Sequence, residues 1–120
     1  MKLWIDDVRP APEGYIWVKS VNECIAIIED YIDFLESIDL SNFHTLAFRK
    51  YINKILICSD DVIDIDHDAG EYVKDGGDYI KILDWLEEND YIFPIHIHSQ
   101  NSVGVENMRR IIQRNGWKEV

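Results

Sequence analysis

Apolar residues along the chain form four short runs, and each run is followed by polar or turn-forming residues. Short stretches that are rich in β-branched and aromatic residues and bounded by turn formers are typical of strands. Pro94 lies inside the last run, where it is tolerated only near the start or edge of a strand. The predicted strands are KLWI at 2–5, YIWV at 15–18, VIDID at 62–66 and IFPIHIH at 92–98.

Segments with apolar residues at helical spacing lie between and after these runs, and most begin with a capping signal. The predicted helices are one from the capping box Ser20–Glu23 to about Ile38, one over 42–54 after Ser41, one from the Gly76-Gly77-Asp78 cap to about Asn89, and one from Asn101 or Ser102 to Gly116. The helix over 42–54 carries basic residues on its polar side, namely Arg49, Lys50 and Lys54.

Strands that alternate with helices indicate an α/β domain, because right-handed crossovers place the strands in parallel with helices on both faces. The sequence therefore predicts a mainly parallel four-stranded sheet in three layers. A length of 120 residues suits one domain, so residues 1–120 are assigned to a single unit. Ligands of such open sheets bind beyond the carboxyl ends of the strands.

Three of the four predicted strands end in polar clusters, which a parallel sheet brings to one edge. The clusters are Asp6-Asp7, Asp66-His67-Asp68 and His98-Ser99-Gln100-Asn101. Aspartates at strand ends also serve as ordinary loop formers and helix caps. Converging carboxylates repel one another, and a divalent cation relieves that repulsion. Carboxylates suit Mg²⁺, whereas an added imidazole favours Mn²⁺, Zn²⁺ or Fe²⁺.

Extended backbone through the second cluster would place Asp66 and Asp68 on one side. Asp64 and His96 each lie two residues before a strand end, and we expect them to pair structurally across neighbouring strands. Arg9 follows the first acidic pair and is a candidate phosphate clamp. Ser99 and Asn101 are candidate hydrogen-bond donors to phosphate or water, with helix capping as the alternative.

The charge of the chain limits its partners. It has 23 acidic and 12 basic side chains and a net charge of -11, which disfavours bulk DNA binding and anionic membranes. No apolar run approaches the ~20 residues of a membrane span. We expect a cytoplasmic protein in which Cys24 and Cys58 are buried thiols.

Four blocks of the sequence resemble, in order, the cyclic-phosphate processing receiver domains. These blocks are KLWIDDVRPAPEGY, IDHDAG, GGDYIKILDWLEE and IHSQNSVGVENM. The resemblance implies a compact receiver-like fold in which residues 37–59 are a helical insertion. It also implies a divalent cation, Mg²⁺ or Mn²⁺, held by Asp6, Asp7 and Asp66. The family adds His67, Asp68, His98 and Asn101 to the common receiver residues.

The chain departs from ordinary receivers because four residues after Gly116 cannot form a fifth strand that ends in the phosphate-contacting lysine. Ser102 also stands where the motif usually has proline. We therefore expect a metal-dependent phosphoesterase that acts on cyclic or terminal phosphates of nucleotides or RNA ends. Its catalytic residues would be Asp66, His67, Asp68 and His98, with either histidine moving the proton. The alternatives are a phospho-switch that binds a protein partner and a scaffold without catalysis.

Overall fold

The computed structural model describes residues 1–39 and 61–120, and its centre is a parallel four-stranded sheet. The strands are β1 Lys2–Ile5, β2 Ile16–Val18, β3 Val62–Ile65 and β4 Ile95–Ile97, in the order β2-β1-β3-β4. All neighbouring pairs run in parallel. This confirms the predicted α/β receiver-like fold, and Pro94 directly precedes β4 as expected. Because β2 and β3 lie on opposite sides of β1, the order of strands reverses at the carboxyl end of β1, where such folds bind ligands.

Three α-helices are present in the described residues: α1 Val21–Asp39, α2 Ile80–Asn89 and α3 Ser102–Asn115. The Glu23 N–H donates to Ser20 Oγ at 3.1 Å, as the capping box predicts. Gly116 ends α3 with φ of 67°, a conformation that glycine adopts without strain. Residues 40–60, which include the helix predicted over 42–54 and most of the proposed insertion, lie outside the described residues.

The predicted cap of α2 is wrong. Gly76 and Gly77 have φ of 117° and 97° and end a 3₁₀ helix over Gly70–Asp75 instead of opening α2. The Asp78 carboxylate accepts a hydrogen bond from the Ala69 N–H at 3.0 Å, so it closes the loop after β3. A glycine pair before an aspartate fits either a helix start or a helix end, and only the tertiary contact distinguishes the two.

One face of the sheet carries the hydrophobic core. Leu3, Ile5, Ile63 and Ile65 alternate to this face, are fully buried, and pack against apolar residues of all three helices. Since α2 contacts both α1 and α3, these helices form one layer, and the predicted helices on the second face are not found among residues 1–39 and 61–120. The alternate residues of the strands, among them Trp4, point to the opposite face. The polar residues at the strand ends lie on the same face as these alternate residues.

The residues after α3 lie beside β4 at the edge of the sheet. Ile95 N–H donates to the Lys118 carbonyl at 2.9 Å, and Val120 N–H donates to the Ile95 carbonyl at 2.8 Å. This parallel contact is a single bridge between Ile95 and Glu119. Because Ile95 is the first residue of β4, Lys118 lies at the amino end of that strand, opposite to the polar edge.

Candidate metal and phosphate site

Asp6, Asp66 and His98 come together at the carboxyl ends of β1, β3 and β4. Each offers one ligand atom, and these atoms all lie within 4.8 Å of one another. The backbone explains this convergence, because the hydrogen-bonded ladder continues one residue past the strands. Asp66 N–H donates to the Ile5 carbonyl and His98 N–H to the Ile65 carbonyl, both at 2.9 Å. The register of the sheet therefore fixes the three side chains relative to one another.

Asp6 is fully buried, and both of its carboxylate oxygens have hydrogen-bond partners. Oδ1 accepts from the backbone N–H groups of Val8 and Arg9, both at 2.9 Å. Oδ2 lies 3.0 Å from His98 Nε2. Burial acts to raise the pKa of Asp6, but the two backbone hydrogen bonds and His98 outweigh it, so the pKa lies below its usual value. The group is therefore a carboxylate at neutral pH despite its burial.

His98 is held by contacts on both ring nitrogens and on one ring face. Nδ1 lies 2.6 Å from Asp64 Oδ1 and Nε2 lies 3.0 Å from Asp6 Oδ2. The Trp4 ring stacks on the imidazole with centroids 3.8 Å apart and planes 3° from parallel. Burial acts to lower the pKa of His98, but Asp64 and Asp6 outweigh it and the pKa is raised. The imidazole thus lies between two carboxylates.

The contact between Asp64 and His98 corrects a prediction from the sequence. Asp64 and His96 are Cα partners across β3 and β4 as expected, but their side chains do not pair. His96 Nδ1 lies 2.6 Å from the Val120 carbonyl at the sheet edge, while Asp64 turns toward the site. Asp64 and Trp4 are not among the site residues that the sequence predicts. The two-residue period of a strand was the available signal, since it places Asp64 on the same face as Asp66.

Asp7 lies beside the three-residue cluster without joining it. Its Oδ2 would be 2.2 Å from a Cβ at position 70, so a larger residue there would require the Asp7 carboxylate to move. Gly70 also has φ of 56°, which favours glycine independently. Burial is the main cause of the raised pKa of Asp7, and the charges of Asp6 and Asp66 add to it. Its predicted role as a metal ligand stays a prediction.

A second group of polar residues joins the loop after β3 to the start of α3. His67 Nδ1 lies 2.8 Å from Asp68 Oδ1, and Asn101 Nδ2 donates to the same oxygen at 3.2 Å. The hydrogen bond from His67 is the main reason that the pKa of Asp68 is lowered. Asp68 does not join Asp66 in the three-residue cluster, contrary to the expectation from the sequence, because its carboxylate bonds to His67 and Asn101 instead.

Asn101 caps α3, which is the alternative role that the sequence left open for it, and its predicted role as a donor to phosphate or water stays a prediction. Its Oδ1 accepts from the Gly104 N–H at 3.0 Å while its Nδ2 holds Asp68. Gly104 in turn lies flat against the His67 ring, because a Cβ there would be 2.4 Å from His67 Cγ. The start of α3 thus sets the position of the His67 and Asp68 pair.

Arg9 and Ser99 lie at the rim. Arg9 Nη1 is 3.5 Å from the His98 carbonyl and Arg9 Nε is 3.8 Å from Asp6 Oδ2. The Arg9 side chain is 46% exposed, so its guanidinium faces solvent at the open side of the site. Ser99 Oγ accepts from the Asn101 N–H at 3.1 Å and shapes the loop after β4. Their predicted roles as phosphate ligands stay predictions.

Comparison with known proteins gives one family. A family model described as the cyclic-phosphate processing receiver domain matches residues 1–114. Neither the curated proteins nor the solved structures include a match. Among residues 1–39 and 61–120, no helix has the length and apolar character needed to cross a membrane. The match spans nearly the whole chain, including both acidic clusters and the loop after β4, and the chain therefore belongs to the cyclic-phosphate processing receiver domain family.

Proposed function

We propose that the protein is a metal-dependent phosphoesterase that opens a cyclic phosphate. The observation that carries this proposal is the meeting of Asp6, Asp66 and His98 within 4.8 Å, next to the hydrogen-bonded pair His67 and Asp68. A ligand set and an oriented histidine at one strand edge are what hydrolysis of a phosphate ester requires. The substrate would be a nucleotide or an RNA end that carries the cyclic or terminal phosphate.

The donor set fits a divalent ion. Asp6 is a buried carboxylate that cannot turn to solvent, and Asp66 and His98 face it across the sheet edge. Asp6 and Asp66 would hold the ion, with His98 or Asp7 completing the set. When bound, Mg²⁺ or Mn²⁺ supplies a Lewis acid for a phosphoryl oxygen.

The sequence left open whether His67 or His98 moves the proton, and we assign this role to His67. Both nitrogens of His98 face carboxylates, so neither is available to a substrate. His67 Nδ1 lies 2.8 Å from Asp68 Oδ1 and, in a longer contact, 3.4 Å from Asn101 Nδ2, whereas Nε2 has no hydrogen-bond partner among the described residues. The shorter contact, to a charged acceptor, decides the position of the proton. Since a carboxylate only accepts, Asp68 fixes the proton on Nδ1 and leaves the Nε2 lone pair as the base.

The reaction follows from these positions. Water attacks phosphorus and passes a proton to His67 Nε2, one ring P–O bond breaks, and the released oxygen takes up a proton to give a hydroxyl beside a phosphomonoester. Arg9, at the open rim, would bind the nonbridging oxygens, as guanidinium groups do. A second route, in which Asp66 attacks phosphorus and water then hydrolyses the acyl phosphate, uses the same residues.

The alternative function is a non-catalytic phospho-switch at Asp66. Its support is the position of Asp66 at the end of the third strand, where receivers accept a phosphoryl group. However, Lys118 lies at the amino end of β4, on the opposite edge from Asp66, so it does not supply the phosphate-contacting cation. The His67 and Asp68 pair, which a switch does not need, favours the phosphoesterase.

The test is turnover of a panel of 2′,3′-cyclic nucleotides with Mg²⁺ or Mn²⁺. We expect hydrolysis by the wild-type protein, loss in Asp66→Asn and His67→Gln, and full activity in the matched surface control Asp84→Asn, whose side chain is 41% exposed. Equal rates in wild type and Asp66→Asn would refute the proposal. Stable phosphorylation of Asp66 by a small phosphodonor, seen as a mass increase without turnover, would instead support the switch.

A further inference from the structure

We infer that Asp64 is a positioning residue that holds His98 as a nitrogen ligand and so gives the site a preference for a transition-metal ion over Mg²⁺. The inference deepens the proposed function, because it concerns the ion that the same site binds. It goes beyond that function in assigning a role to a residue that touches neither phosphate nor ion.

The geometry shows how Asp64 acts. Asp64 is only 8% exposed, and its Oδ1 meets His98 Nδ1 at 2.6 Å. A carboxylate can only accept, so the Nδ1 proton is fixed and the lone pair available for an ion belongs to Nε2. Nε2 is the His98 atom that faces Asp6, at 3.0 Å. Asp64 therefore selects the tautomer that presents nitrogen to the cluster.

Trp4 adds a second constraint on the same ring. Its indole lies parallel to the imidazole with centroids 3.8 Å apart, which hinders rotation of the imidazole about its Cβ–Cγ bond. The indole is itself fixed, because Nε1 donates to the Arg9 carbonyl at 2.9 Å. Asp64 fixes how the imidazole of His98 is oriented within its own plane, and Trp4 fixes the plane itself.

This arrangement bears on the choice of metal. Asp6 and Asp66 offer only oxygen atoms, which suit Mg²⁺, whereas an imidazole nitrogen suits transition-metal ions. Histidine ligands commonly donate their other ring N–H to a carboxylate, and loss of that carboxylate typically costs about 10- to 100-fold in metal affinity. Asp64 provides such a carboxylate from within the sheet.

A purely structural role makes a different prediction. If Asp64 only neutralised a buried charge, its removal would loosen the strand ends and weaken binding of every ion by a similar factor. If it positions nitrogen, its removal weakens binding of Co²⁺ and leaves Mg²⁺ binding, which depends on the oxygen ligands, with a much smaller change. The ratio of the two affinities therefore separates the roles.

The experiment uses the full chain with Co²⁺ or Mg²⁺ alone as the probe. Co²⁺ binding is followed by its visible absorption and by calorimetry, and Mg²⁺ binding by competition. Asp64→Ala removes the acceptor, and Asp64→Asn keeps an acceptor oxygen without the charge. Asp61→Asn is the matched control, since Asp61 is also buried and is bonded by a side chain, Tyr31, at the other end of β3.

We expect Asp64→Ala to lose about 10- to 100-fold in Co²⁺ affinity, with a changed absorption band and a much smaller loss for Mg²⁺. Asp64→Asn should fall between it and wild type, and Asp61→Asn should match wild type. Equal losses for both ions in Asp64→Ala, or an unchanged Co²⁺ spectrum, would overturn the inference.

A readout without metal keeps the inference testable if Asp64→Ala is too unstable to titrate. In Asp64→Asn we expect the ¹⁵N resonances of the His98 ring to shift relative to wild type, and unchanged resonances would overturn the inference. Neither measurement needs turnover. A protein that binds Co²⁺ through His98 but hydrolyses no cyclic phosphate would contradict the proposed function and leave the role of Asp64 intact.

Discussion

Replacing Gly104 by alanine would place a methyl group against the His67 ring. The new Cβ would lie 2.4 Å from Cγ and 2.5 Å from Cδ2 of His67, and ordinary contact begins near 3.4 Å. The ring must therefore retreat by roughly 1 Å. That movement lengthens the 2.8 Å contact between His67 Nδ1 and Asp68. The variant thus tests the position of His67 without removing any polar group.

The expected cost is small in stability and large in activity. Overpacking costs about 1–3 kcal/mol, and alanine in a helix offsets about 1 kcal/mol of this, so the net loss is roughly 0–2 kcal/mol. A displacement of about 1 Å in a catalytic group can reduce turnover about 100-fold. We therefore expect a folded Gly104→Ala protein with a low rate of cyclic-nucleotide hydrolysis.

The assay combines chemical denaturation, turnover and the ¹⁵N resonances of the His67 ring. Gly116→Ala is the control: φ at Gly116 is 67° and no atom lies within 4 Å of the added Cβ, so it costs about 1–2 kcal/mol of strain and leaves His67 in place. If the His67 resonances shifted while turnover stayed at the wild-type rate, the assignment of His67 as the base would be refuted. Unchanged His67 resonances would instead contradict the expected displacement of the ring.

Three further predictions follow from individual contacts. Gly70→Ala should displace Asp7, whose Oδ2 lies 2.2 Å from the new Cβ, and weaken ion binding in calorimetry; unchanged affinity would show that Asp7 is not a ligand. Asn101→Ala should lose about 0.5–2 kcal/mol in denaturation because it removes a helix cap, and a smaller loss in Asn101→Ser would identify the cap as the cause. Burial and then Asp61 raise the pKa of Tyr31 to about 12, so in the wild-type protein its contribution to stability falls as pH rises from 10.0 through that value. Asp61→Asn should lower this pKa, and an unchanged Tyr31 titration by ¹³C NMR would contradict the assigned cause.

The sequence was sufficient for the strands and for the edge at which the polar residues gather. Each strand is indicated by a run of β-branched residues, and each polar residue, Asp6, Asp66 or His98, directly follows such a run. Parallel pairing brings these ends together. The capping box at Ser20 is equally local, and it was predicted correctly. The Gly76-Gly77-Asp78 segment was predicted wrongly, because its aspartate bonds to a backbone group nine residues earlier in the chain.

The sequence by itself indicated that Asp6, Asp66 and His98 gather at one edge of the sheet, since residue type and strand period are properties of the chain read locally. It did not indicate the contacts that Asp64 and Trp4 make with His98. Only the tertiary structure decided how those groups pair. Asp64 bonds to His98 on the neighbouring strand and not to His96, its register partner. The position of His67 is limited by Gly104, which lies 37 positions further along the chain. Such pairings depend on side-chain direction and on close contacts between distant segments. Those contacts place both ring nitrogens of His98 against carboxylates and leave His67 Nε2 without a partner among the described residues. This difference separates the proposed metal ligand from the proposed base.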